Sequence, residues 1–223
     1  MNNFYEFAAK RKKRFFLDWS VTWQLVFVNV LFFIVTEILI LTNLVPIDYL
    51  ALKPKLILEK YYLWTFVTSM FMHSGIFHLF VNMISLLFIG NLLEKILGKR
   101  RYFWIYLLSG LFAGIFFVLS SLIFSGDYSL FAVGASGALF GLIGVLIFLT
   151  PNLPVYIFFI PIPIKIKYAA PGLLVLLWLI SLFGNVPIGN TAHLGGLLIG
   201  VIYGLILRYK FPKKVKYINQ KFS

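Results

Sequence analysis

Ser136 lies between small residues, in the order Gly134, Ala135, Ser136, Gly137, where a polar loop gives way to the apolar run Ala138–Leu149. Glycines beside a serine let another backbone, or a substrate, approach its hydroxyl. A helix starting here would leave free N–H groups and a positive dipole end beside that hydroxyl, which suits a developing oxyanion. The chain has only three histidines, His73, His78 and His193. An imidazole beside a serine hydroxyl is a general base beside a nucleophile. His78 and Asn82 are four residues apart, so they share one helix face, and both can donate a hydrogen bond to an oxyanion. Each element has a plainer reading. Gly, Ala and Ser are common where membrane helices pack closely, and a buried His or Asn can bond between helices.

The elements that must position these groups are hydrophobic. Of 223 residues, 61% are hydrophobic and 12% charged. The runs Val21–Leu41, Ile76–Leu93, Tyr102–Phe124, Ser136–Thr150, Tyr168–Phe183 and Ala192–Leu207 approach the ~20 residues that cross a bilayer. The expected fold is therefore an all-α membrane protein of six transmembrane helices, with a long interfacial loop over 42–75. Its expected organisation is a basic, membrane-skimming segment over 1–20, a membrane domain over 21–207 and a basic tail over 208–223. Lys99-Arg100-Arg101 is expected to form a short basic turn. Four prolines and the alternation Ile164-Lys165-Ile166-Lys167 favour an extended stretch over 151–167. Gly196, Gly200 and Gly204 repeat at four residues behind His193, and Gly137, Gly141 and Gly144 form a small face behind Ser136. Two such faces can pack closely enough to bring Ser136 and His193 to hydrogen-bond distance. Ser74, Asn82, Asn190 and Thr191 would keep the pocket wet.

The net charge of +13 does not imply nucleic acid. With six spans, seventeen of the twenty Lys and Arg residues fall on one side, and only Lys53, Lys55 and Lys60 on the other. The positive-inside rule makes the first side cytoplasmic, with both termini, and puts the starts of spans 2, 4 and 6 near the outer face. The lipid bilayer is the expected partner of the basic segments, in the plasma membrane. There are no cysteines and no His-Glu-x-x-His motif, so neither a metal nor a cofactor is expected. A transporter would need a midplane polar site, often with repeated halves, and neither is evident.

Together these motifs resemble those of the rhomboid intramembrane serine proteases. The resemblance rests on Gly134 to Gly137, on Ala192-His193 with Gly196 and Gly200, and on His73, His78, Asn82 and Met83. Trp64, and Gly90, Glu94 and Gly98 at intervals of four, extend it over about residues 60–205. It is similar to the minimal six-span form. The resemblance implies a Ser136–His193 dyad without a third carboxylate. It implies an oxyanion hole of His78, Asn82 and the Ser136 backbone N–H, with His73 as a supporting neighbour. It implies that Phe140 packs on the catalytic histidine and that Glu94 is structural. Substrates would be single-span membrane proteins, cut near the outer end of their helix. A catalytically inactive relative that binds membrane proteins would share the fold, but such relatives usually lose Ser or His. Thr65 and Tyr62 stand where the family often has Arg and an acidic residue, so the 42–75 segment is expected to lack an ion pair.

Overall fold

The computed structural model describes residues 19–123, 125–157, 161–184, 186 and 188–222. The expected skimming segment therefore lies almost wholly outside the described residues. Helix α1 (Val21–Leu41) has the bounds read from its hydropathy. Ser20 precedes it in extended conformation, and its hydroxyl accepts from Trp23 N–H at 3.3 Å. Glu94 supplies the stronger cap. Its buried carboxylate accepts from Val21 N–H at 2.8 Å, Thr22 N–H at 2.9 Å and the Thr22 hydroxyl at 2.8 Å. Orphan amides and the positive dipole end of α1 together compensate a carboxylate that has been taken out of water.

After α1 the chain stays irregular to residue 75, with a 3-10 turn at Ile47–Tyr49 and two short helices, α2 (Pro54–Lys60) and α3 (Thr65–Thr68). No ion pair forms at positions 62 and 65, but the segment does hold one elsewhere, Lys53 Nζ lying 3.8 Å from Asp48 Oδ1, and further contacts fix it. The rings of Tyr62 and Trp64 stack at 4.7 Å, and Tyr49 lies 5.2 Å from Tyr62. Trp64 Nε1 donates to Tyr49 O at 2.8 Å, and the Thr68 hydroxyl to Leu50 O at 2.7 Å. Thr65 is buried, its hydroxyl donating to Tyr62 O at 2.7 Å.

The next long helix is α4 (Ile76–Ser85) continued through a π turn (Leu86–Gly90) into α5 (Asn91–Leu97). It outruns the expected end at Leu93 because Glu94-Lys95 simply continues it. Gly98, at φ 80°, breaks the chain direction, and α6 (Lys99–Ser121) starts at once. Lys99 to Arg101 are thus the first turn of a helix and not a loop, since one glycine in the left-handed region suffices to turn the chain. Helix α7 (Ser136–Leu149) follows the 3-10 turn Ser125–Asp127. Residues 154–155 (β1) pair antiparallel with 164–165 (β2), which bears out the extended reading there. Ile166 and Lys167, however, open α8 (Ile166–Gly184) rather than ending the extended stretch. Helix α9 (Asn190–Lys210) runs past the expected limit at Leu207, and the basic tail folds as α10 (Pro212–Lys221), anchored by buried Val215.

Among the described residues five helices are long and apolar enough to cross a membrane, so the chain is a multi-pass membrane protein. Helix α7 differs. Its fourteen residues extend only ~21 Å, and every residue from Gly137 to Leu146 is buried. A helix apolar all round belongs in a core. It packs against α6 and α9, its own Leu142, Val145 and Leu146 almost fully buried in one core with Tyr102 and Tyr106 of α6.

Candidate active site

The α7–α9 contact is made by glycines. A Cβ on Gly196 would meet the Gly137 carbonyl, and one on Gly200 the Gly141 carbonyl. The backbones therefore approach to a separation no side chain allows. Ser136 opens α7 and His193 lies in the first turn of α9, so the closely packed pair carries them to the same level. Ser136 Oγ and His193 Nε2 are 2.7 Å apart. His193 Nδ1 is buried and has no hydrogen-bond partner among the described residues. No third group extends the pair among the described residues, and with the proton on Nδ1 the Ser136 hydroxyl can donate to Nε2. Phe140, one turn after Ser136, stacks on the His193 ring at 4.7 Å and 25°. That contact fixes the plane of the imidazole.

The start of α4 faces the same loop. Gly134 has φ 114°, a conformation that disfavours any side chain, and its N–H donates to Ser69 O at 2.8 Å. A Cβ there would lie 2.8 Å from His78 Nε2 and Cε1, and 3.8 Å from Asn82 Nδ2. His78 and Asn82 thus converge on the backbone just before Ser136. On its other side His78 Nδ1 accepts from Ser74 N–H at 3.4 Å and lies 3.0 Å from the Ser74 hydroxyl. An accepting Nδ1 leaves the proton on Nε2, aimed at the Gly134–Ser136 loop. Asn82 Nδ2 donates to His78 O at 2.9 Å, which leaves its second N–H free to donate elsewhere.

His73 is fully buried and does not reach Ser136. Its Nδ1 is 3.2 Å from Phe71 O and its ring meets the His78 ring edge-on at 5.1 Å. Burial, followed by the His78 charge, pushes His73 down to about 4. Gly137, Gly196 and Gly200 are at the helix contact, and Glu94 is far from the pair, capping α1. Two features escaped sequence reasoning. Ser74 was legible only as a polar residue, although its spacing of four from His78 could have signalled the bond. The Thr191 hydroxyl donates to Asp127 Oδ2 at 3.1 Å, tying the 125–127 turn to the start of α9, and nothing in the spacing of residues 64 apart announces it.

Fold and site define a helical membrane protein with a serine–histidine pair recessed in the core of its bundle. A family model for the Rhomboid domain matches residues 60–210, and the chain belongs to the rhomboid family. It is 36% identical over 176 residues to RHOMBOID-like protein 1 of Arabidopsis thaliana, covering 77% of this chain and 41% of that protein. Over 162 residues it is 38% identical to RHOMBOID-like protein 6, mitochondrial, of the same plant, covering 70% and 48%. It is also 32% identical over 163 residues to Inactive RHOMBOID-like protein 8 of that plant, covering 72% and 42%. The chain spans about half the length of the curated relatives it matches.

Proposed function

We propose that this protein is an intramembrane serine endopeptidase that hydrolyses a peptide bond in the transmembrane segment of a single-span membrane protein. The observation that carries this reading is the 2.7 Å contact between Ser136 Oγ and His193 Nε2, held by glycine packing inside an apolar bundle. His193 takes the serine proton as Oγ attacks the scissile carbonyl. The oxyanion that forms is met by the Ser136 backbone N–H, His78 Nε2–H and the free Asn82 N–H. His193 then protonates the leaving amine, and water releases the acyl group by the same route in reverse. His73 stays neutral and shapes the His78 side of the pocket. A substrate helix must unwind to expose its bond, so helix-weakening residues near the cut favour cleavage.

In this reading α7 completes a set of six spans, and 42–75 lies at the membrane interface. The membrane domain covers 21–207 and the site opens near the outer face of the plasma membrane. Both termini are cytoplasmic. A binding protein without activity is the competing reading, and one relative is named inactive; the intact Ser136–His193 pair weighs against it.

A fluorophosphonate probe in detergent separates the two. Ser136 should become covalently labelled, and Ser136→Ala and His193→Ala should both abolish labelling without unfolding the protein. Asn82→Ala should slow it by less than His193→Ala, because the loss of one oxyanion donor costs about 10²–10³ in rate. Labelling should also slow on acidification, since imidazolium cannot act as a base. Cleavage of a tagged transmembrane substrate on co-expression should follow the same order. Labelling that survives His193→Ala, or that maps to Ser74, refutes the assignment.

A further inference from the structure

At the end of the bundle remote from Ser136, a cavity of about 320 Å³ opens between α6 and α9. It is lined by Arg100, Arg101, Trp104, Ile105, Leu108 and Tyr203. The lining is graded. Two guanidiniums stand in the first turn of α6, and Trp104 and Leu108, both about half exposed, continue one and two turns further along that apolar helix. Tyr203 brings an apolar ring with a polar tip from α9. Charge around the cavity is unbalanced. Arg101, Lys210 and Lys214 all approach the ring of Phe211, at 5.6, 5.9 and 5.8 Å from its centroid. No carboxylate among the described residues pairs with any of them. Three cations gathered about one ring repel one another, and a bound anion would relieve that repulsion.

We propose that this cavity is a binding site for an anionic phospholipid. The phosphate sits between Arg100 and Arg101, whose planar forks suit phosphate oxygens. One acyl chain runs along Trp104 and Leu108, where the helix face is exposed toward lipid. The Lys210 and Lys214 ammonium groups add a longer-range field at the mouth, and Tyr203 marks the boundary between headgroup and chain. A free phosphate would satisfy the guanidiniums but would leave the apolar wall unused. The site does not depend on the protease reading; only the leaflet in which the lipid sits follows from the proposed orientation.

The test is native mass spectrometry of the full-length chain released from detergent. Phosphatidylglycerol and phosphatidylcholine with the same acyl chains are titrated separately. Phosphatidylglycerol should bind more tightly, to one saturable site. Arg100→Gln with Arg101→Gln should weaken it roughly thirtyfold, at about fivefold per charge near a lipid headgroup. Lys165→Gln with Lys167→Gln removes the same charge from another basic segment and should leave the affinity unchanged. Trp104→Ala with Leu108→Ala keeps both guanidiniums and should still weaken the lipid. Inorganic phosphate in excess should not displace it. Equal affinity for the two lipids, no loss in the arginine variant, or displacement by phosphate would overturn the proposal. Melting curves of each variant establish that it is folded before its affinity is compared.

Discussion

Ser136 and His193 were legible because chemistry-bearing residues are rare in this chain, and because glycines repeat behind each of them. Their approach to hydrogen-bond distance was legible too, in the two glycine faces; the contacts that set it were not. It depends on Gly196 and Gly200 resting on carbonyls of the facing helix. The tautomer of His78 was less legible, since only the spacing of four hints at Ser74, whose N–H sets it from a turn before α4. His73 yields a prediction at this scale. Its imidazole is held at about 4 by burial and by His78, below the usual 6.5 of a free histidine. A depressed histidine pKa means that the unfolded chain takes up a proton that the folded one refuses. Stability from His73 is therefore fully present above about pH 6.5 and is lost as pH falls toward 4. Below that value both states are protonated and the loss ends. Melting temperatures between pH 7.5 and 4 should fall more steeply for the native protein than for His73→Gln. Parallel slopes would mean that the buried ring is not the group responsible.

At the scale of elements, hydropathy found every long helix and both ends of α1, but it ended the α4–α5 and α9 helices too early. The basic run Lys99 to Arg101 reads as a loop by charge, yet Gly98 alone makes the turn. The C-terminal tail reads only as a basic tail, yet it folds as α10 with Val215 as a buried anchor. Helix α7 was recognised, but not that its short length makes it a core element. Its contact with α9 can be tested with a matched pair of substitutions. Gly200→Ala sets a Cβ against the Gly141 carbonyl, where only backbone could give way. It should destabilise by about 1–3 kcal/mol and slow probe labelling by moving His193. Gly172→Ala, in α8 with nothing within 4 Å, should be neutral or stabilise by up to about 1 kcal/mol. Equal effects would remove the close-packing argument. The 42–75 segment offers a second test. Installing Thr65→Arg with Tyr62→Glu to mimic the family's ion pair would bury a guanidinium at a position only 1% exposed. It would also break the Tyr49–Tyr62–Trp64 stack. The double variant should lose roughly 1–3 kcal/mol, read as a lower melting temperature. A gain would show that the stack contributes little and that the arginine reaches water.

For the whole molecule, the starts of α4, α7 and α9 converge at one end, where His78, Ser136 and His193 meet. Asp127 bonds to Thr191 at that end, so the 125–134 stretch belongs to it too. Helix α9 then runs its 21 residues, ~31 Å, to the basic cluster and α10 at the other end. That polarity was legible as charge before any geometry. Lys53, Lys55 and Lys60 are the only cations of the twenty assigned to the site's side. Membrane insertion retains Lys- and Arg-rich segments on the cytoplasmic side, so the site should open outward and α10 should lie inside. The chain has no cysteine, so a single introduced thiol reports on one place only. Ser129 is exposed near the site and Lys213 is exposed in α10. In intact cells a membrane-impermeant maleimide should label Ser129→Cys at once and leave Lys213→Cys untouched. After the membrane is opened, Lys213→Cys should label as well, which shows that its thiol was shielded by the bilayer and not by burial. The reverse pattern would place the dyad near the cytoplasmic face. Labelling of both in intact cells would mean that the two ends do not lie on opposite sides of the membrane, and the six-span arrangement would fall with the orientation.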